Sequence, residues 1–417
     1  MLFKKQHNET IPDRNTICNR WRVNKLTAMR MTQAAPIIFG TGSLQMLRDE
    51  LKNRGLKKTF IITDKGVTGA GVTEKVKSVV KEAGLECGVW DNCLSDAPTE
   101  SVDAAASAAR EAGADAIIAL GGGSSMDTAK AASLSIKNNK TILEITGSPP
   151  SMGPPIPREP DVPIFTIPTT SGTGSEVTTV AVLVNSENLM KFGVVITGSA
   201  LAIVDPELTV GVPPQITAMT GMDVVAHAVE AITGAMRNPM SDLKGYEALR
   251  LVNAHLYDAV KDGTNITARG GMSFASSLAG LAFNDSITSL GHAISQALSH
   301  VHHLHHGLLC GLATPPQLEV FAMVVPERVR KIGEIFGADI PFDAPPEQVG
   351  KIAAEKIRVF MSQIGIQSFE QMGYARKDIT DHVNLLMDDM MLDFSPCEIT
   401  KDIAYNALDR MYDYKGA

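Results

Sequence analysis

Between about residue 37 and residue 205, short apolar runs alternate with longer amphipathic stretches. The first apolar run is Ile37-Ile38-Phe39. Phe60-Ile61-Ile62-Thr63 reads as a strand and Gly71 to Gly84 as a helix ended by glycine. Glu86 to Trp90 reads as a second strand and Glu100 to Ala112 as an alanine-rich helix. Ala116-Ile117-Ile118-Ala119-Leu120 is apolar without a break, as a strand covered on both faces must be, and Val162 to Ile167 is a further strand. This rhythm predicts a parallel sheet with helices on both sides. After Asp205-Pro206 and Pro213-Pro214 the β signal fades, and helices are expected near 215–235, 241–262, 267–285 and 288–300. The expected fold is an α/β domain over 31–205 followed by an all-α domain over 206–417, with a ligand cleft between them. Residues 1–30 are polar and read as an irregular extension. Seven prolines between 149 and 163 predict a long surface loop.

A chain of 417 residues exceeds one ordinary core, in keeping with two domains. Its 38 basic and 46 acidic residues leave a net charge of −8, which argues against a nucleic-acid partner. Hydrophobic residues at 44% against 20% charged describe a globular chain. No run reaches about 18 apolar residues, so no membrane span is expected. The opening MLFKKQHNETIPDRN lacks the apolar segment of a secretory signal. Five scattered cysteines without a CxxC pair suit a reducing compartment, and a cytoplasmic location is expected.

Four motifs carry chemistry. Gly121-Gly122-Gly123-Ser124-Ser125-Met126-Asp127 follows a buried strand and opens a helix. Glycines there let backbone N–H groups approach a phosphate, though the same residues also suit a tight turn with no ligand. Thr169-Thr170-Ser171-Gly172-Thr173-Gly174-Ser175-Glu176 offers donors for phosphate or ribose, or simply a flexible turn. Asp64, closing an early strand, suits either a ribose hydroxyl or a helix N-cap. Asp223 and His227 stand one turn apart on a helix, ahead of His292 and a run holding His300, His302, His303, His305 and His306. A carboxylate with neutral imidazoles suits Fe2+ or Zn2+, while spacing alone does not select which histidines bind.

In these residues the chain resembles the iron-containing (group III) alcohol dehydrogenases, from about Ile37 to the C-terminus. The segments carrying the likeness are 121–130, 168–178, 221–231, Asn238-Pro239 with Ser241-Asp242, Ala282-Phe283-Asn284, Gly291-His292-Ala293 and His306-Gly307. The resemblance implies a modified Rossmann domain and a helical domain in a dehydroquinate synthase-like architecture, with the active site in the cleft. It implies NAD(H) and Fe2+, with Zn2+ as the alternative ion, held by Asp223, His227, His292 and His306. It places Asp64 at the adenosine ribose, Gly122, Gly123 and Ser124 at the pyrophosphate, Thr169, Thr170 and Thr173 at the nicotinamide half and Lys191 near the ribose, with Asp127 also in the cofactor site. Ser175, Val180 and Val204 line the same groove. The implied activity is interconversion of a small alcohol and its aldehyde (a diol, a semialdehyde or another anionic aldehyde among them) in a homo-oligomer.

The chain departs from the family pattern in a few places. Gln296 replaces a second histidine near the substrate, which leaves His300 or a water chain to relay the proton. His305 stands where proline is usual, Cys310-Gly311 where Asn-Ala is common, and Ala97 where an asparagine often touches the cofactor. Arg158 and Arg237 are candidate attractors of an anionic substrate. The alternatives are a glycerol dehydrogenase-like enzyme, a dehydroquinate synthase-like lyase, and a non-enzymatic metal store built on residues 300–306.

Overall fold

The structure, a computed structural model, describes residues 35–147, 158–188 and 190–416, without the side chain of His300. The 1–30 extension and most of the proline-rich loop lie outside the described residues.

Among the described residues there are eight strands: β1 (Ile37–Phe39), β2 (Lys58–Ile62), β3 (Glu86–Trp90), β4 (Ala116–Gly121), β5 (Ile164–Pro168), β6 (Val180–Val184), β7 (Lys191–Val195) and β8 (Leu201–Val204). Six form one sheet in the order β1-β8-β5-β4-β2-β3, every pair parallel. All six residues of β4 are buried, the consequence of helices on both faces. Those helices are α1 (Met46–Asn53), α2 (Lys65–Gly69), α3 (Val72–Glu82), α4 (Thr99–Glu111), α5 (Gly123–Ala132) and α6 (Ile142–Thr146).

Sheet and helices bury one apolar cluster on each side. Ile61, Ile118 and Phe165 point to one, and Phe60, Ile117 and Ile164 to the other, as the two-residue strand period requires. The antiparallel hairpin β6–β7 is not foreseen by the strand-helix rhythm. It forms because Ala181, Leu183, Phe192 and Val194 add to the second cluster instead of extending the sheet.

Helices follow β8 without further sheet among the described residues: α7 (Pro214–Thr233), α8 (Pro239–Lys261), α9 (Ile266–Ser286), α10 (Leu290–His302), α11 (His306–Ala322), α12 (Pro326–Ile335), α13 (Pro346–Gln363), α14 (Arg376–Thr380), α15 (Val383–Met387) and α16 (Lys401–Met411). They share one large core, with α7 buried along most of its length at its centre. Glycines set the closest contacts of this half with the sheet half. A Cβ on Gly174, whose φ is +61°, would lie 2.5 Å from the Gly280 Cα of α9. No helix among the described residues is long and apolar enough to cross a membrane.

Candidate functional site

Strand order brings three loops to one edge. β2, β4 and β5 are neighbours, with Ile62 opposite Ala119 and Gly121 opposite Pro168. Asp64, Gly121–Ser125 and Thr169–Glu176 therefore stand side by side at the C-terminal ends of the strands. The chain changes direction there, since β3 lies outside β2 and β4 on its inner side, and open α/β sheets bind ligands at such a point. The first backbone N–H groups of α5 have no intrahelical acceptor, and its N-cap Gly122 brings no side chain to cap them. A Cβ on Gly123 would sit 2.7 Å from the Thr173 side chain, so the two loops meet only because that residue is glycine.

Several residues expected at the cofactor are held by the protein itself. Asp64 caps α2, accepting from Val67 N at 3.0 Å and from Ser125 Oγ at 2.8 Å. Asp127 accepts from Ser175 Oγ at 2.5 Å, from Val182 N at 2.9 Å and from Lys130 Nζ at 3.4 Å. Lys130 is fully buried and also reaches Ser175 Oγ, Thr178 Oγ1 and the Val180 carbonyl at 2.8–3.0 Å. Burial pulls its ammonium below the ordinary lysine range, against the pull of Asp127. Thr169 N donates to the Gly121 carbonyl at 2.9 Å, and Thr170 lies against Gly122. Ser124 Oγ accepts from Asp96 N at 3.1 Å. Lys191 Nζ donates to Asp96 at 2.8 Å and to Ser299 of α10 at 3.4 Å, so it spans the two halves. Val204 is buried in the sheet.

The second constellation lies on α7, α10 and α11. Asp223 Oδ1 is 3.8 Å from His227 Nδ1 and 3.7 Å from the Nε2 atoms of His292 and His306. Asp223 Oδ1, His227 Nδ1 and His292 Nε2 are buried with no hydrogen-bond partner among the described residues. Native proteins seldom leave three such atoms facing one another, because each forfeits its hydration. A shared ion resolves this: bonds of about 2.0–2.2 Å at tetrahedral angles separate neighbouring ligand atoms by about 3.4 Å. The four side chains thus stand a few tenths of an ångström wider than a bound Fe2+ or Zn2+ would hold them, and the donor set fits such a cation.

Partners on the far side of each ring fix the orientation. Glu230, one turn beyond His227 on α7 and fully buried, accepts from His292 Nδ1 at 3.0 Å and from the backbone N–H groups of His292 and Ser289. Its carboxylate caps α10 and turns the His292 Nε2 lone pair inward. Gly291 is required there, because a side chain would run into Glu230 and Gln317. His306 Nδ1 pairs with Ser295 Oγ at 2.9 Å. His227 stacks on Phe283, with centroids 4.2 Å apart, and is hydrogen-bonded to the Gly172 backbone.

Electrostatics follow from burial. It pushes the Asp223 carboxyl up, but the surrounding imidazoles outweigh it and leave the group below the ordinary carboxylate range. Burial pulls His227 down to about 4. It also pulls His292 down, yet the neighbouring Cys310 sulfur and Glu230 carboxylate bring that imidazole above its ordinary value. Since burial raises the Cys310 thiol itself, the pull at neutral pH comes from Glu230. The open side of the cluster is at His306, whose side chain remains 33% exposed. The two constellations touch through Gly172, where a Cβ would lie 2.7 Å from Thr220 of α7.

Other expected residues stay apart. His303 is exposed in the left-handed C-cap of α10 at φ 52°. His302 Nε2 donates to the Asp378 carbonyl at 2.9 Å. Arg237, a candidate attractor of an anionic substrate, is buried, with Nη1 donating to the Gly234 carbonyl at 2.8 Å. Gln296 is half-buried on α10 one turn beyond His292, and the His300 side chain lies outside the described residues. Lys130, Glu230 and Cys310 were given no role by sequence reasoning. The first two sit inside quoted motifs, but only packing shows what they hold.

The chain is similar to known proteins along most of its length. Residues 34–206 match the family model described as iron-containing alcohol dehydrogenase, and residues 217–412 match the model for the C-terminal region of the Fe-containing alcohol dehydrogenase family. A sulfoacetaldehyde reductase of Bilophila wadsworthia is 35% identical over 305 residues, 73% of this chain and 77% of that one. An NAD-dependent methanol dehydrogenase of Bacillus methanolicus is 33% identical over 375 residues, 88% of this chain and 96% of that one. The crystal structure of a sulfoacetaldehyde reductase from Bifidobacterium kashiwanohense in complex with NAD+ superposes with a TM-score of 0.80 at 31% identity, covering 94% of this chain and all of that one.

Proposed function

The chain belongs to the iron-containing alcohol dehydrogenase family and is thus an oxidoreductase of alcohols and aldehydes, and we propose that it is an NAD(H)-linked enzyme dependent on Fe2+ or Zn2+. The observation that carries this reading is the set of orphaned atoms on Asp223, His227 and His292, joined to the Gly-rich loops through Gly172. Residues 31–205 serve as the nucleotide-binding unit and 206–417 as the metal-binding unit, in a cytoplasmic homo-oligomer.

The ion, when bound, supplies a Lewis acid beside the carbon–oxygen bond of the substrate, and the nicotinamide supplies or accepts a hydride. The protein does the rest. Free N–H groups at the start of α5 receive the pyrophosphate, where Gly122 and Gly123 leave room for it. Asp64 closes the adenosine end with a carboxylate that repels a 2′-phosphate. Asp127 and Ser175 act through Lys130, clamping the loop after β5 against α5 so that Thr169, Thr170 and Thr173 face the nicotinamide half. Glu230 and Ser295 hold the imidazoles of His292 and His306 in the tautomer whose Nε2 is a free donor. Gln296 can hold a hydroxyl by hydrogen bonding but cannot carry a proton. Relatives are named for methanol and for sulfoacetaldehyde, so the substrate is taken as a small alcohol or aldehyde.

The test is removal and return of the metal, with NADH consumption followed at the aldehyde. Activity should vanish in the metal-free protein and return with Fe2+ or Zn2+. His292→Ala should lose both metal and turnover, while His303→Ala keeps both. Full activity in verified metal-free protein would end this account.

A further inference from the structure

Cys310 takes no part in the function described so far, yet it faces the cluster. It follows His306 by one turn of α11, so the two side chains share a face. The helix is pressed onto α7 through its glycines: a Cβ on Gly311 would lie 2.9 Å from Met222 Cβ, and one on Gly307 would strike the Met219 carbonyl. That packing buries Cys310 completely and sets its Sγ 3.5 Å from His306 Nε2. The ligand atoms of Asp223, His292, His306 and Cys310 all lie within 4.8 Å of one another.

A protonated thiol in this position is awkward. Its sulfur lies 3.5 Å from His306 Nε2, the atom whose lone pair the site needs. A sulfur sharing the ion removes the conflict, and the distance suits it. With a metal–sulfur bond of about 2.3 Å and a metal–nitrogen bond of about 2.1 Å, a tetrahedral angle separates the two ligand atoms by about 3.6 Å. Two further atoms aimed at the same point, Asp223 Oδ1 and His292 Nε2, are buried and unpartnered among the described residues.

We propose that Cys310 is a fifth protein ligand of the ion, a sulfur added to Asp223, His227, His292 and His306, and that it biases the site toward Zn2+ over Fe2+. This rests on the metal site proposed above. On loading, the thiol proton leaves to solvent and a metal–sulfur bond forms, and no group changes oxidation state. Soft thiolate favours Zn2+, and its negative charge lowers the net charge of the loaded site.

The full-length protein is stripped of metal and titrated with Co2+, an optical stand-in for Zn2+, while bound cobalt is counted. At one equivalent the wild type should show a near-ultraviolet thiolate-to-cobalt charge-transfer band. Cys310→Ser should still take up one cobalt but lack the band, and Cys310→Ala should do the same should serine disturb folding. The serine variant should also lose roughly tenfold or more of the preference for Zn2+ over Fe2+. One cobalt bound without the band, or a band that persists in both variants, overturns the role of Cys310 and leaves the metal site standing. No cobalt bound by the wild type overturns both.

Discussion

The two halves of the site treat buried polarity in opposite ways. Under the nucleotide-type loops, the Lys130 ammonium touches Asp127, Ser175, Thr178 and the Val180 carbonyl, and Glu176 accepts from Ser277, so the charges there have partners within the protein. On α7 and α10, equally buried atoms of Asp223, His227 and His292 face one another with no hydrogen-bond partner among the described residues. The first arrangement is finished when the chain folds, and its product is loop geometry. The second is unfinished, and its cost is recovered only when a cation arrives. Burial therefore says little about function until the partners are counted.

The sharpest way to break the contrast is to remove one charge from each half. Lys130→Met strands the Asp127 carboxylate among bonds built for a cation. It should lower the stability of the metal-free protein by about 3–5 kcal/mol, as loss of one member of a buried pair does. Asp223→Asn removes a carboxylate whose Oδ1 has no hydrogen-bond partner among the described residues; it should cost the same stability less than Lys130→Met does, roughly 1 kcal/mol, while abolishing metal binding. Urea denaturation of both stripped variants checks this. Equal losses would mean that the two halves are built alike.

A smaller effect probes the support behind the metal ligands. Glu230→Gln keeps the size of the side chain and acceptance from the α10 backbone, but weakens the hold on His292 Nδ1–H. Metal affinity should fall about 10- to 100-fold, with much less effect on metal-free stability. Competition titration against a chelator measures it. An unchanged affinity would show that Glu230 serves as a helix cap alone.

What could be read from the sequence divides along the same line. Sheet, helices and motif positions follow from hydrophobic period and glycine placement, because both are local properties. So do Asp223 and His227, one turn apart on one helix. The meeting of His292 and His306, and not of His302 or His303, with Asp223 is not local. It depends on α10 ending in a left-handed His303 and on α11 lying against α7 through Gly307 and Gly311. The roles of Lys130, Glu230 and Cys310 are invisible for the same reason. Each is decided by atoms some four to sixty residues away in the chain. The β6–β7 hairpin escapes a reading tuned to parallel strands because it packs across the sheet face instead of joining it.

The smallest expected effect tests whether the open half holds neutral imidazole. Burial pulls His227 down to about 4 from an ordinary 6.5, and the nearby Asp223 only partly opposes it. In the metal-free protein the unfolded chain therefore takes up a proton near pH 6.5 that the folded chain refuses until about pH 4. The stability tied to this group is complete above pH 6.5. It is lost as pH falls through the window from 6.5 to 4, at up to about 1.4 kcal/mol per pH unit. His227→Gln cannot take up that proton in either state. Stripped wild-type protein should thus lose up to about 1.4 kcal/mol more than the variant between pH 6.5 and pH 5.5, and the two should run parallel above pH 7. Metal-loaded wild type should fall more steeply still, because each proton that reaches a ligand also displaces the ion. Parallel curves throughout would mean that His227 is charged or exposed in the folded chain, and the unfinished half of the site would then have no buried, neutral donor to offer at that position.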